Sequence, residues 1–265
     1  MSTYPFCVIP TPLGTFTANN EVASNLASHL GEFDSIGMTW KPGVSSTFLQ
    51  GDFGSAKPID FVSMIAATAS PTSTYRFALG TSAANASSAS PAYDSGAQTF
   101  ISPAITRADG LYNSHLEIGT VQTYRYWYLE LFNLGTFEAS TFVMGQKVTP
   151  ATWYNPGFEF GIEDLGDIDF SRYGIPEETP GRTFRKLGFT LGWLSEIDFE
   201  TKFRPLVETL GKRRVAFWCF DPTANAYRQA RSYLGWLRPP PAARHIANTP
   251  DGPRFSKEFE VLSMI

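Results

Sequence analysis

The segment Thr123-Tyr124-Arg125-Tyr126-Trp127-Tyr128-Leu129-Glu130-Leu131-Phe132 carries a ring or a branched apolar group at most of its positions. In an extended chain neighbouring side chains point to opposite sides, so Tyr124, Tyr126 and Tyr128 share one face and Trp127, Leu129 and Leu131 the other. At least one face of such a strand must be core, and the reading taken here is that both are core or intersheet contacts. A rival reading keeps the segment as a platform on which a sugar ring stacks. Either way the strand demands an aromatic β-rich interior, and the 22 Phe, 11 Tyr and 6 Trp among 265 residues can supply it.

The rest of the first half reads the same way. From Tyr4 to about Gly145 short apolar runs are separated by turn residues, the spacing of an all-β domain. Ser46 to Phe53 reads as a strand closed by Gly54-Ser55. Pro58 to Gly80 reads as two strands joined by a small polar turn. Its first part, with Phe61, Val62, Met64 and Ile65, predicts a central strand covered on both sides, whereas Tyr75, Phe77 and Leu79 alternate with Arg76 and Ala78. Ala83 to Ala92, nearly all Ala and Ser, has no period and reads as a surface loop ending in the Tyr93-Asp94-Ser95-Gly96 turn.

After Gly145 charges become denser, and Pro150, Pro156-Gly157, Pro176 and Pro180-Gly181 mark turns. The boundary falls between 145 and 156, giving domains 1–148 and 149–265. Arg182 to Leu194 predicts a strand with an irregularity at Gly188. Phe199, Phe203, Leu206 and Leu210 recur at helical spacing, with Asp198 as N-cap and Gly211 as the stop. Pro205 either kinks this helix or marks its start. Strands over Val215 to Phe220, Tyr227 to Leu237 (stopped by Pro239-Pro240-Pro241) and Phe255 to Met264 complete an all-β class with one short helix.

The chain has 25 acidic against 21 basic residues, a net charge of -4 with no basic tail, and so holds little attraction for nucleic acid. Met1 to Phe6 lacks the charged start and apolar stretch of a signal peptide. No apolar run approaches the roughly 18 residues of a membrane span, so a soluble protein folded where it is made is expected. Cys7 and Cys219, far apart, read as two reduced thiols, Cys219 inside an apolar strand where burial blunts its reactivity.

Candidates for chemistry are few. His29, His115 and His245 lie in separate segments without metal-ligand spacing. Gly80-Thr81-Ser82 only superficially resembles the turn that exposes a nucleophilic serine, and no glycine-rich phosphate loop precedes a helix. Glu163, Asp164, Asp167 and Asp169 read as a solvated turn, with a calcium or interface contact and acid/base catalysis as the sharper alternatives. Lys212-Arg213-Arg214, directly after the helix, reads as a wet face, or as a salt bridge across a subunit contact. No catalytic, cofactor-binding or metal residue is assigned, and the subunit interface is left unassigned.

The run Gln50-Gly51-Asp52-Phe53-Gly54-Ser55-Ala56-Lys57-Pro58-Ile59-Asp60-Phe61-Val62, the Thr74 to Leu79 strand, Tyr93-Asp94-Ser95-Gly96 and Tyr124 to Leu131 together resemble a galactose-binding-like (discoidin-type) jelly roll of tailed-bacteriophage structural proteins. The Arg182 to Leu194 strand, the helix through Phe199 and Leu210, Val215 to Phe220 with Asp221-Pro222, and Tyr233-Leu234-Gly235-Trp236-Leu237 resemble the belt-like β-sandwich of siphophage tail tubes and distal tail proteins. The combination resembles a distal tail protein of the virion, the adaptor between tail tube and tip or baseplate complex. That resemblance implies a non-enzymatic structural protein of the tail tip, made in the host cytoplasm. It further implies a homo-oligomeric ring, a hexamer, without cofactor, contacting a tail tube protein and a tail-tip hub protein. It needs no membrane and no sequence-specific nucleic-acid binding, and DNA would pass through its lumen. An acidic chain suits that lumen, and ring contacts favour Tyr, Trp and Phe. The alternatives are a carbohydrate- or receptor-binding tail module and a cell-wall glycan hydrolase.

Overall fold

The computed structural model describes residues 4–238 and 242–265, so the expected stop at Pro239-Pro240-Pro241 lies outside the described residues. The chain is all-β with a short helical region, and it divides into two compact units. One comprises the chain up to Thr149 together with Cys219–Ser232, the other Pro150–Trp218 and Tyr233–Ile265. Cys219–Ser232, expected in the second domain, thus belongs to the first unit.

In the first unit the strands Thr15–Ala18, Ser46–Ile65, Leu116–Phe132, Thr74–Gly80 and Tyr93–Asp94 follow one another across an antiparallel sheet. The two strands expected to be joined by a small polar turn do not pair with each other; Leu116–Phe132 lies between them and bonds its backbone to both. Ser46–Ile65 is also one strand and not two. Gly54, at φ +77, opens an irregularity between Asp52 and Lys57 in place of a turn. Beyond it, Phe61 to Ile65 pair with Thr141–Gly145, and Ile59 to Ile65 are buried throughout, as the continuous apolar run requires. The irregularity lets one strand serve both ends of the core.

Ala83–Ala86 forms one helical turn where a loop was expected. Ser82 Oγ caps it by accepting from Asn85 N at 3.1 Å, and fully buried Ala86 lies directly over Gly80. A Cβ on Gly80 would sit 2.4 Å from the Ala86 nitrogen, so the bare strand is what admits the turn. A helix of Ala and Asn packed by its backbone leaves no apolar period in the sequence.

In the second unit Glu159–Asp164, Thr183–Ser195, Gly252–Ser263, Ser232–Leu237 and Val215–Cys219 are ordered along a sheet, with Arg244–Thr249 also on Gly252–Ser263. Gly188 pairs regularly with Glu159 and Glu260; the irregularity falls between Leu191 and Leu194, where Trp193 takes φ +59. The strand expected from Tyr227 begins at Ser232, because Asp221 accepts from Asn225 at 3.0 Å and Arg231 at 2.6 Å and folds the intervening residues into turns.

The helical region runs from Glu196 to Leu210. Its N-cap is Ser195, whose Oγ accepts from Asp198 N at 3.1 Å, so the cap expected at Asp198 moves to Ser195. Phe199–Phe203 is wound as a wider π turn, and the regular α-helix starts at Arg204 with Pro205 in its first turn, where no amide is required. Gly211, at φ +51, ends it as expected. Phe203 packs 6.1 Å from Phe259, which stacks on Phe189 at 5.3 Å and meets Trp218 at 5.8 Å, centring the core of this unit.

Candidate functional site

The register of the three long strands in the first unit sorts their side chains into rows. On the inner side lie Leu49–Leu129–Phe77 and Gly51–Trp127–Leu79. Trp127, Leu129 and Leu131 are buried, and Trp127 donates from Nε1 to the Leu13 carbonyl at 3.0 Å. On the outer side lie Phe48–Glu130–Arg76, Gln50–Tyr128–Ala78 and Asp52–Tyr126–Gly80. The tyrosines expected on one face therefore part company. Tyr126 and Tyr128 belong to this outer face with Phe48, whereas Tyr124 packs against the main core.

The outer face is half-covered and polar at its rim. The Arg76 guanidinium binds Asp94 through two nitrogens at 2.9 and 2.8 Å and Glu130 at 3.0 Å, and its Nη2 also reaches the Ser88 carbonyl at 3.1 Å. Hydrogen bonding from Arg76 holds the Asp94 carboxyl below its ordinary range. Phe48 and Tyr128 lie 5.3 Å apart, and burial, then Glu130, pushes the Tyr128 phenol up to about 12. Gln50 donates to the Ala83 carbonyl at 2.8 Å. The result is an outer face on which Phe48 and Tyr126 lie half-buried to either side of Tyr128 and Ala86, with the Arg76 guanidinium and the Glu130 carboxylate fixed at the Phe48 end.

A second polar group, inside the same unit, was missed in the sequence. His115 Nε2 donates to Glu117 at 3.2 Å, Lys147 binds Glu117 at 2.9 Å, and the Lys147 amide donates to Asp60 at 2.7 Å. The His115–Glu117 contact is an ion pair only with a charged imidazole. Burial, the largest influence, pushes the His115 pKa down and outweighs the pull of Glu117, so this is a hydrogen bond of a neutral ring. Burial likewise raises Asp60. Its only sequence signal was the alternation His115-x-Glu117 on one side of a strand. The group fastens strands together and faces no open space that the contacts reveal.

The other expected residues are placed as follows. His29 donates to the Thr39 carbonyl at 2.9 Å and His245 meets Asn248 at 2.9 Å. Ser82 is occupied as a helix cap. Cys7 and Cys219 are free and buried, which raises both thiols far above their ordinary range. Among the described residues no three His, Cys, Asp or Glu stand close enough to hold a metal ion.

The acidic group does not converge but lies along a two-stranded ribbon in the second unit. Glu159–Asp164 pairs with Thr183 to Gly188, and Asp167–Phe170 continues outward against Pro176–Thr179. Glu163 pairs with Arg238. Asp164, Asp167 and Asp169 each accept from a backbone amide within two residues, at 2.8, 2.9 and 2.8 Å. Apolar side chains on this ribbon are unusually exposed: Ile162 71%, Leu165 59%, Ile168 60%, Phe170 64%, Tyr173 72% and Ile175 61%. With about 200 Å² per large residue, these and Phe160 leave roughly 850 Å² of largely apolar residue surface in water, spread over the ribbon, its turn and the adjoining sheet edge.

These features define an all-β protein of two units, one with a jelly roll and one with an exposed apolar ribbon. No family model matches the chain, and no curated protein matches it. Among solved structures, a chitosan-binding module from a chitosanase/glucanase of Paenibacillus sp. IK-5 is 18% identical, covering 51% of this chain and 97% of its own, at a TM-score of 0.36. A Streptococcus pneumoniae fucose-binding module is 10% identical over 52% of this chain and 95% of its own (TM-score 0.37). The family 32 module of C. perfringens NanJ, in complex with galactose, is 12% identical over 53% and 98% (TM-score 0.38). Likeness at this level describes a backbone path; chitosan, fucose and galactose are ligands of those modules. No helix is long and apolar enough to cross a membrane.

Proposed function

We propose that this chain is a structural assembly protein that works as one copy among several. The observation that carries this reading is the ribbon. The two-stranded part, Asp167–Phe170 with Pro176–Thr179 and the turn between them, exposes Ile168, Phe170, Tyr173 and Ile175 and has no core of its own, and an isolated pair of strands is at best marginally stable. Large apolar side chains left this exposed are the usual mark of a surface that a partner covers. The finer reading is the distal tail adaptor of a siphophage virion, a hexameric ring at the tail tip between tail tube and hub protein, without catalysis or cofactor. Its support is the resemblance of the Gln50 to Val62 and Tyr124 to Leu131 runs and the strand–helix–strand order of the second unit. Electron microscopy of the purified chain tests it: closed annuli are expected, and dispersed monomers at micromolar concentration overturn the assembly reading.

A second reading, saccharide binding by the first unit, is favoured by the half-buried rings of Phe48 and Tyr126 on the outer face, with Arg76 and Glu130 beside Phe48. Glycan-array binding by the full chain that is lost on Tyr126→Ala supports it; an array without signal removes it.

A further inference from the structure

The ribbon's two faces differ. In its outer part Asp169 stands directly across from Glu177, with Asp167 on the same face, while Ile168 and Phe170 point to the other side together with Glu178, which stands across from Ile168. Like charges directly opposite one another destabilise a pair of strands. From Glu159 to Gly181 the chain carries Glu159, Glu163, Asp164, Asp167, Asp169, Glu177 and Glu178 against Arg172 alone. Of these acids only Glu163 has an ion-pair partner among the described residues. A face this densely acidic is complete only against a cationic one.

The second unit holds a matching cationic surface. Lys212, Arg213 and Arg214 are consecutive, exposed, and without a carboxylate in ion-pair distance among the described residues. They follow Gly211, whose φ of +51 turns the chain at the end of the helix. The neighbouring cations of that helix are already engaged: Lys202 by Asp198 at 2.7 Å, Arg204 by Glu200 and Glu208 at 2.9 and 3.0 Å. The unpaired acids and the unpaired bases therefore occupy two separate surfaces of one unit.

Resting on the assembly reading above, we propose that the acidic face of the ribbon in one copy docks on the Lys212-Arg213-Arg214 turn of a second copy. Two different patches meeting head to tail make a heterologous contact, the kind that closes rings or runs on as filaments. The occupant of the acidic face is a second copy of this chain, because that chain carries the complementary charge.

The test is a charge exchange in the full chain, read by sedimentation velocity at low and high salt. Lys212→Glu/Arg213→Glu/Arg214→Glu and, separately, Asp167→Lys/Asp169→Lys/Glu177→Lys each alter exposed side chains, and unchanged circular dichroism confirms that they fold. Each variant alone is expected to associate at least about tenfold more weakly than the unaltered chain, whose association itself weakens with salt. Mixing the two variants is expected to restore association, since each then meets its complement. If the unaltered chain associates but both variants associate equally well, or if mixing restores nothing, the docking proposal fails while the assembly reading stands. An unaltered chain that stays monomeric removes both.

Discussion

Replacing Gly51 by Ala is expected to destabilise the first unit, and only because Trp127 is where it is. Gly51 and Trp127 face each other across the two longest strands, and the indole lies over the bare glycine. A Cβ added to Gly51 would meet Trp127 Cε2 at 2.2 Å and Nε1 at 2.3 Å, far inside van der Waals contact. The ring is held on its other sides by Phe16 at 5.7 Å, Phe142 at 5.5 Å and Phe53 at 6.4 Å, and by its bond to the Leu13 carbonyl at 3.0 Å. Overpacking of this kind costs about 1–3 kcal/mol, and the displaced indole leaves a buried carbonyl bond unmade at a cost of about 1 kcal/mol. Against this, Ala in a strand gains about 0.5–1 kcal/mol over Gly through the unfolded chain. The net expected loss is about 2–3 kcal/mol. In a Trp127→Leu background, itself about 2–4 kcal/mol less stable, the ring is gone and Gly51→Ala is expected to be neutral or stabilising by about 0.5–1 kcal/mol. Urea unfolding of the four proteins, followed by circular dichroism, measures the coupling, expected near 2–4 kcal/mol. An equal cost for Gly51→Ala in both backgrounds would refute the argument that the ring is what excludes the methyl group.

Trp218→Ala, which empties a site between Phe189 and Phe259, is expected to cost the second unit about 3–5 kcal/mol; unchanged thermal melting counts against that core. Ser195→Ala removes the cap on Asp198 N and is expected to cost about 1 kcal/mol in the same unit, whereas Ser195→Asp is expected to hold most of the stability. His115 is kept neutral by burial among Phe6, Phe61, Glu117, Lys147 and Arg228, so its folded pKa lies below its unfolded one. The unfolded chain then takes up the proton first. Stability is complete above the unfolded value near 6.5 and falls as pH drops through it toward the folded pKa, by at most about 1.4 kcal/mol per pH unit. Melting between pH 8 and 5 should therefore decline less in His115→Gln, and identical profiles would remove this role (~pH 8 to ~pH 5 spans the ordinary His range).

Much of the scaffold was legible because burial leaves a period. The apolar run at Phe61 to Ile65, the alternation at Tyr75 to Leu79 and the spacing of Phe203, Leu206 and Leu210 each match the observed covering of those residues. The Ala83–Ala86 turn left no such mark, since it packs by backbone on Gly80. The candidate sites were legible in part. The acids from Glu163 to Asp169 and the bases from Lys212 to Arg214 stood out by charge, and contact between subunits was already one reading of each.

By itself, the order of side chains determined that this protein would be β-rich with at least one face of the Thr123 to Phe132 strand buried, because a strand's period of two leaves no other place for rings on both parities; that the Trp127, Leu129 and Leu131 face is the inner one, and the Tyr126 face only half-covered, came from the packing. Tertiary structure decided which strands became neighbours. Only long-range pairing inserted Leu116–Phe132 between Ser46–Ile65 and Thr74–Gly80, put Arg76 beside Glu130, and stretched four acidic residues along a ribbon in place of gathering them in a turn. Pairing partners are chosen by contacts between segments far apart in the chain, and no local pattern of residues carries that choice.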